Sequence, residues 1–433
     1  MNKITSEPPA CNPLVKKAFA NKLNFQFQQT AKIIPLIKQS TPEHRSHISG
    51  VFLSASEMVA KTRPVEPVHC LRPAVISTIS KWFVQNFAKT VGGKVMFAVK
   101  TNPDKLVLKT IADAGVTRFD VASLAEVKLV ADVLPKAKMY FMHPVKNREA
   151  IHAAYFTYGV RDFSLDSHAE LQKILEVTNH ADDLNLYVRL SMASDKAAYS
   201  LAGKFGVKLE DASSLLMATR KASKKMGLCF HVGSQCMNPS AYEAAIQTVV
   251  DLLVQTDVRL DVVDIGGGFP SIYPRMTPPP LADYMATIGA AIKSHPKLAK
   301  CEILCEPGRA LVAESGSVVV RVELRKGSML YINDGTFGSL FDAGVPEFNY
   351  PVKAIRTAGD MSENLVPFGF YGPTCDSMDT MNGPFYLPAD INEGDWIEIG
   401  QLGAYGATMR TNFNGFYSDT TVELADKPIL SMF

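Results

Sequence analysis

Eight short apolar runs, each followed by a helix-like segment, occupy the middle of the chain and restrict its fold more than any other feature. They are KVMFAVK (94–100), TRFDVAS (117–123), KMYFMHP (138–144), RDFSLDS (161–167), NLYVRLS (185–191), LCFHVGS (228–234), VVDIGGG (262–268) and EILCEPG (302–308). The first five begin 23, 21, 23 and 24 residues apart, the length of one strand plus one helix. Strands alternating with helices imply parallel βα units. Near-continuous apolar strands are buried on both faces, and eight of them favour a closed (β/α)8 barrel over an open doubly wound sheet. The later units are longer and leave room for inserted loops.

Beyond residue 315 the helical pattern fades. SVVVRVELRK, SMLYIND, NLVPFGF and DWIEIG alternate apolar and polar residues between Gly and Pro, as in an antiparallel β domain. The first 70 residues are punctuated by prolines at 8, 9, 13, 35, 42, 64 and 67 and hold no long period. The expected organisation is a partly mobile N-terminal extension over 1–70 that adds to the β domain, a barrel over 71–314, and a C-terminal β domain over 315–433.

The 433 residues carry 45 basic and 43 acidic side chains, a net charge of +2. That excludes a strongly basic nucleic-acid-binding protein. No stretch of 18 apolar residues occurs, so no membrane span is expected, and the first residues lack a signal-peptide core. Seven cysteines without CxxC spacing read as reduced thiols in the cytoplasm, with no metal site.

In a barrel the reactive groups gather at the C-terminal ends of the strands, and the unusual polar residues fall there repeatedly. Lys100 closes the first run and Asp120 lies late in the second. His231 and Ser234 close the sixth. Gly266, Gly267 and Gly268 close the seventh, and Glu306 and Arg309 follow the eighth. Three glycines let the backbone approach a phosphate, and Arg309 adds a charged donor. A partly desolvated lysine has a lowered pKa and forms Schiff bases. Glu306 needs a buried partner such as a protonated pyridine nitrogen. His231 can stack on a flat ring. Each residue alone has a plainer reading: a tight turn, a surface lysine, a Glu306–Arg309 salt bridge, a hydrogen-bonded core histidine. Together they describe a site for pyridoxal 5'-phosphate (PLP).

The motifs FAVKTN (97–102), FDVAS (119–123), KFG (204–206), FHVGSQ (230–235), DIGGGFP (264–270), CEPGR (305–309), NDGTFGS (333–339), GPTCDSMD (372–379), GAY (403–405) and FNGF (413–416) run collinearly from about residue 72 onward. The chain thereby resembles the barrel-type, PLP-dependent basic amino acid decarboxylases, in the branch that acts on ornithine and lysine. The resemblance implies that Lys100 holds the cofactor as a Schiff base, with Asp120 and Arg189 beside it. It implies that His231 stacks on the ring and that Glu306 pairs with the ring nitrogen. Ser234, Gly266, Gly267, Gly268, Arg309 and Tyr405 would hold the phosphate. Cys375 and Asp376 would come from the other subunit of a homodimer with shared active sites, and Phe413 would line the same interface. Cys375 would return a proton to Cα, and Asp376 would bind the distal ammonium of the substrate.

The activity so implied is decarboxylation of L-ornithine to putrescine in polyamine biosynthesis, with L-lysine to cadaverine as a second reaction. In one respect the chain departs from the family: the segment after NDGTFGS is about three residues shorter, and Asp342 is the nearest candidate for a second acid on the distal ammonium. A pocket discriminates one methylene by only about 1–3 kcal/mol. Three other readings compete. Diaminopimelate decarboxylase shares the HVGSQ and EPGR motifs but needs a cation for a distal carboxylate. A non-catalytic decarboxylase-binding homologue would typically lose the lysine or the cysteine. A barrel racemase would need a second base opposite Lys100.

Overall fold

A computed structural model describes residues 48–192, 197–199, 203–344 and 347–433. Most of the expected mobile extension, residues 1–47, lies outside them. In chain order the strands begin with β1 (Val51–Phe52), β2 (Val68–Leu71), β3 (Lys94–Ala98), β4 (Arg118–Val121), β5 (Lys138–Phe141), β6 (Asp162–Leu165) and β7 (Asn185–Arg189). They continue with β8 (Ala197–Tyr199), β9 (Lys225–Cys229), β10 (Ser234–Cys236), β11 (Val262–Asp264) and β12 (Glu302–Cys305). Eight of them, β3 to β7, β9, β11 and β12, form a closed parallel barrel that seals where β12 pairs β3. β8 and β10 make a separate antiparallel ribbon.

Each apolar run falls on a barrel strand, but the sixth strand starts at Lys225, three residues before the run read there. Gly227 interrupts its apolar pattern for a packing reason. A Cβ at that position would meet the Tyr187 ring at 2.2 Å. The strands are apolar throughout because both faces are covered. Met96, Tyr140, Tyr187, Cys229, Val262 and Leu304 fill the barrel interior, while Phe97, Phe119, Phe141 and Phe163 belong to the larger cluster packed with the surrounding helices.

Short polar residues end the strand-to-helix turns and start the helices. Asp104 Oδ1 accepts from the backbone N–H of Leu106. Ser123 Oγ accepts from Glu126 N–H, and Glu126 Oε2 reaches back to accept from Ala122 N–H at 2.7 Å. Asn147 and Ser167 cap in the same way. Such caps contribute about 1 kcal/mol each and fix the turns that carry the reactive side chains.

The second layer contains β13 (Gly316–Lys326), β14 (Met329–Ile332), β15 (Val352–Ile355), β16 (Leu365–Tyr371), β17 (Thr380–Pro388), β18 (Trp396–Ile399) and β19 (Thr421–Leu424). With β1 and β2 they form one nine-stranded sheet. Its pairings are antiparallel except β1–β19, β19–β2 and β14–β16. The chain therefore enters the β layer first, leaves it to build the barrel, and returns. Arg72, 2 % exposed, sits at that first exit. It donates to Glu398 Oε1 at 2.7 Å, Asp426 Oδ1 at 2.8 Å and Ser317 Oγ at 3.0 Å. A buried charge this fully paired holds the layers in register, since loss of one partner leaves the others uncompensated.

Candidate active site

The C-terminal ends of the barrel strands open into a cavity of about 590 Å³. Lys100, Asp120, Arg189, His231, Ser234, Glu306 and Arg309 line it from the barrel, and Asp342, Tyr405 and Met409 line it from the β layer. Tyr405 N–H donates to Thr101 O at 2.9 Å, which ties the two walls together beside Lys100. The barrel residues and Asp342 and Tyr405, all singled out from the sequence, are thus brought to one place.

Lys100 occupies a single 3-10 turn directly after β3. Its side chain, 46 % exposed, opens into the cavity, and Nζ lies 3.8 Å from Asp120 Oδ2. The expectation of a lowered lysine pKa is corrected here. Desolvation pulls it down, but the carboxylates of Asp120 and Glu306 and the Tyr405 phenol outweigh that, and the net shift is upward. Asp120 in turn is pushed up to about 7 by its own burial and by the Glu306 charge, against the opposing pull of Lys100.

Glu306 makes no salt bridge with Arg309, so that plainer reading is also set aside. Its neighbour is Asp264, at the end of β11. Asp264 Oδ1 accepts from Gly266 N–H at 2.9 Å, and its carboxyl lies beside that of Glu306. Two carboxyls this close disfavour each other's charged form. Asp264 is raised to about 6, chiefly by burial, and Glu306 is raised well above its ordinary value by burial and by the Asp264 charge.

The His231 ring is held neutral. Burial, then the charges of Lys100 and Arg189, push its pKa down to about 3. Its Nδ1 accepts from Gly233 N–H at 2.9 Å, so the proton sits on Nε2. The glycine triplet is sterically obligatory. Gly266 has φ 69° and a Cβ there would lie 2.0 Å from Phe230 O; at Gly267 a Cβ would lie 2.7 Å from Glu306 O. The triplet itself does not line the cavity wall, although Ser234 beside it does.

Arg309 is 5 % exposed and starts the short helix Arg309–Val312. Nη1 donates to Tyr273 Oη at 2.6 Å, Nη2 lies 3.5 Å from Asp342 Oδ2, and the guanidinium stands 5.1 Å from the Tyr405 ring centre. Its Nε is buried with no hydrogen-bond partner.

Cys375, Asp376 and Phe413 do not line this cavity within one chain. Cys375 is exposed, and its Sγ and N–H both meet Asn414 Oδ1 at 3.2 Å. Asp376 Oδ1 caps Met378 N–H, and Phe413 packs on Phe337 with ring centres 5.0 Å apart. The sequence reading missed Asp379, which shapes this loop. Asp379 accepts from Thr336 N–H at 2.7 Å and Thr374 Oγ1 at 2.7 Å, joining the NDGTFGS and GPTCDSMD segments. It also assigned no role to Asp264 or Tyr273. Asp264 stood in plain view inside DIGGGFP, on a strand the barrel order already set beside the one leading to Glu306, but the motif was read for its glycines alone. Tyr273 carries no local signal at all.

A sequence model described as "Pyridoxal-dependent decarboxylase, pyridoxal binding domain" matches residues 76–313. The chain belongs to this family of PLP-dependent decarboxylases. Among individual relatives, ornithine decarboxylase of Panagrellus redivivus is 32 % identical, covering 77 % of this chain and 80 % of its own. Antizyme inhibitor 2 of Xenopus laevis is 30 % identical over 75 % of this chain and 74 % of its own. The structure of lysine/ornithine decarboxylase complexed with cadaverine from Vibrio vulnificus superposes with a TM-score of 0.72 at 30 % identity, covering 87 % of this chain and all of that one.

The cofactor of the family is PLP, and the residues present fit it. The glycine turn admits no side chain, Arg309 keeps an unused buried donor, His231 is a neutral flat ring, and Glu306 is a buried carboxyl lining the cavity. These groups match a phosphate, a planar ring and a ring nitrogen respectively.

Proposed function

We propose that this protein decarboxylates L-ornithine to putrescine, and L-lysine to cadaverine, as a cytoplasmic homodimer. The observation that carries this reading is Lys100 and Glu306 lining one cavity, with the Asp264 carboxyl beside Glu306. PLP, when bound, supplies an electron-accepting ring for the pair released as the Cα–carboxylate bond breaks. Glu306 would pair with the ring nitrogen and keep it protonated, Lys100 would anchor the aldehyde carbon, and His231 would support the ring face. Arg309, Ser234 and the glycine turn, through the N–H groups of Gly267 and Gly268, bind the phosphate, with Tyr405 beside them, while Gly266 N–H is held by Asp264. Asp120 and Arg189 orient Lys100.

Decarboxylation leaves Cα needing a proton, and among the described residues no thiol lines the cavity from its own chain. Cys375 is exposed on a loop that Asp379 holds rigidly. Around it Met378, Phe413, Phe416 and Tyr417 are 64 %, 40 %, 47 % and 47 % exposed. Large apolar side chains exposed together mark an interface, and a second copy would cover them. The partner subunit's Cys375 then donates the proton to Cα, and the partner subunit's Asp376 joins Asp342 on the distal ammonium. Lys100, Glu306 and Cys375 are all retained, which opposes a non-catalytic role. Cys70, Cys229, Cys301 and Cys305 are thiols, in keeping with a reducing compartment.

One observation favours a second reading. Arg189 and Lys204 both line the cavity, and a distal carboxylate, as in meso-diaminopimelate, would be attracted there. The test is CO2 release from the PLP-loaded protein with L-ornithine, L-lysine, L-arginine and meso-diaminopimelate supplied separately. Release from ornithine or lysine is expected. Release from diaminopimelate alone would overturn the substrate assignment, and release from none would overturn the activity.

A further inference from the structure

The turn after β5 carries a histidine that the reaction as described leaves unused. His143 lines the same cavity as Lys100 and Glu306. Its orientation is fixed from several sides. Nδ1 accepts from Val145 N–H at 3.1 Å, which leaves the proton of the neutral ring on Nε2. The ring meets Phe205 edge-on, with centres 5.0 Å apart. Beneath the turn, Lys146 Nζ donates to His143 O at 2.9 Å and to Ser164 O, and lies 3.0 Å from Glu170 Oε1. The Lys146 and Glu170 side chains are 1 % and 3 % exposed. A buried ion pair that grips a carbonyl in this way makes the turn rigid.

Phe205 gathers cations as well. Arg189 and Lys204 stand 5.8 Å and 5.0 Å from its ring centre. His143, Arg189 and Lys204 therefore surround one aromatic ring on one wall of the cavity. Burial, followed by the charges of Lys146, Arg189, Lys100 and Lys204, holds His143 below its ordinary pKa, so it meets a ligand as a neutral donor. Donors and cations converging on one wall suit an anionic oxygen.

We propose that His143 is a further binding residue of this cavity, donating Nε2–H to an anionic oxygen held between it and Arg189. That oxygen belongs either to the α-carboxylate of the amino acid or to the ring of the cofactor. The proposal rests on the decarboxylase reading, and its test separates the two. His143→Leu removes the donor and His143→Gln restores one. Affinity for PLP is measured by fluorescence quenching of the cofactor-free protein. Affinities for L-ornithine and for putrescine are measured on the loaded protein, from the absorbance change each causes.

If the carboxylate is the partner, His143→Leu weakens ornithine about ten-fold or more, leaves putrescine unchanged, and His143→Gln recovers most of the loss. If the ring oxygen is the partner, His143→Leu weakens PLP itself by a similar factor. Unchanged affinities for all three, or a His143→Gln protein as impaired as His143→Leu, would overturn the proposal. A wild-type protein that releases no CO2, yet shows these affinity differences, would overturn the decarboxylase reading and leave His143 as a ligand-binding residue.

Discussion

Ala98 pairs with Asp120 across the first two barrel strands, and this register sets Lys100 Nζ 3.8 Å from the Asp120 carboxylate. The lysine is thereby held as an ammonium in the cofactor-free protein, yet only a neutral amine attacks an aldehyde. Removing the Asp120 charge lowers the lysine pKa, so Asp120→Asn shifts the pH midpoint of PLP uptake downward. The rate at which the absorbance near 420 nm rises, followed from pH 6 to 10, reads this directly. Lys100→Ala develops no such band and no CO2 release. A Lys100→Ala protein with full turnover would sink the mechanism.

The barrel was legible because burial on both faces makes every strand an apolar run, and because one βα unit has a narrow range of lengths. Lys100, Glu306 and the glycine turn were legible because polar or side-chain-free residues at such strand ends are costly without a role. What stayed hidden depends on contacts between distant segments. Asp264 lies beside Glu306 because β11 and β12 are neighbours, which the barrel order implied, but the charge coupling between them depends on burial that the motif does not display. Tyr273 caps Arg309 from 36 residues away. The sign of the Lys100 shift needed the sum of three neighbours, not the local desolvation alone. The start of β9 was obscured by Gly227, whose missing side chain makes room for Tyr187.

The Asp264–Glu306 pair gives the cofactor-free protein a definite pH response. Both folded-state pKa values are raised, so their contribution to stability is fully present below the unfolded value. It is lost as pH rises through the folded value, about 6 for Asp264. Carboxylates whose pKa values are lowered, such as Asp261 and Glu302, complete their gain below about pH 5 and do not mask this loss. Asp264→Asn removes it. Relative to wild type, the variant gains stability between about pH 4 and 7, on the order of 2–3 kcal/mol for a shift of about 2 units. Urea unfolding of the cofactor-free proteins at pH 4.5 and 7.5 measures it. An identical difference at both pH values would show that Asp264 does not titrate with a raised pKa.

Arg309 joins the β layer to the cavity through Asp342, at the end where the proposed reading puts the phosphate. Arg309→Ala strips the charge from beside buried Asp342 and the donor from Tyr273. Breaking a buried pair by removing one partner costs about 3–5 kcal/mol, and the 3.5 Å separation here places this one at the lower end. Arg309→Lys keeps the charge but not the forked donors, so it recovers much of the stability and little of the PLP affinity. Melting temperatures with and without PLP separate the two effects. Equal loss in both variants would mean that charge alone matters.

The last prediction concerns the exposed thiol. Within one chain Cys375 hydrogen-bonds Asn414 and lies outside the Lys100 cavity, and on the proposed reading each site borrows it from a second copy. Lys100→Ala and Cys375→Ala chains are each inactive in diamine formation as homodimers. Unfolded together and refolded, half of the dimers are mixed, and each mixed dimer contains one site with both residues intact. About a quarter of wild-type activity returns, as random pairing about a two-fold axis requires. Size-exclusion chromatography shows the dimer independently, and substituting Phe413 or Met378 by Asp shifts it toward monomer with loss of activity. If the mixture stays inactive while dimers form, the thiol acts within its own chain or not at all, and the surface around Phe413 is an interface without a shared site.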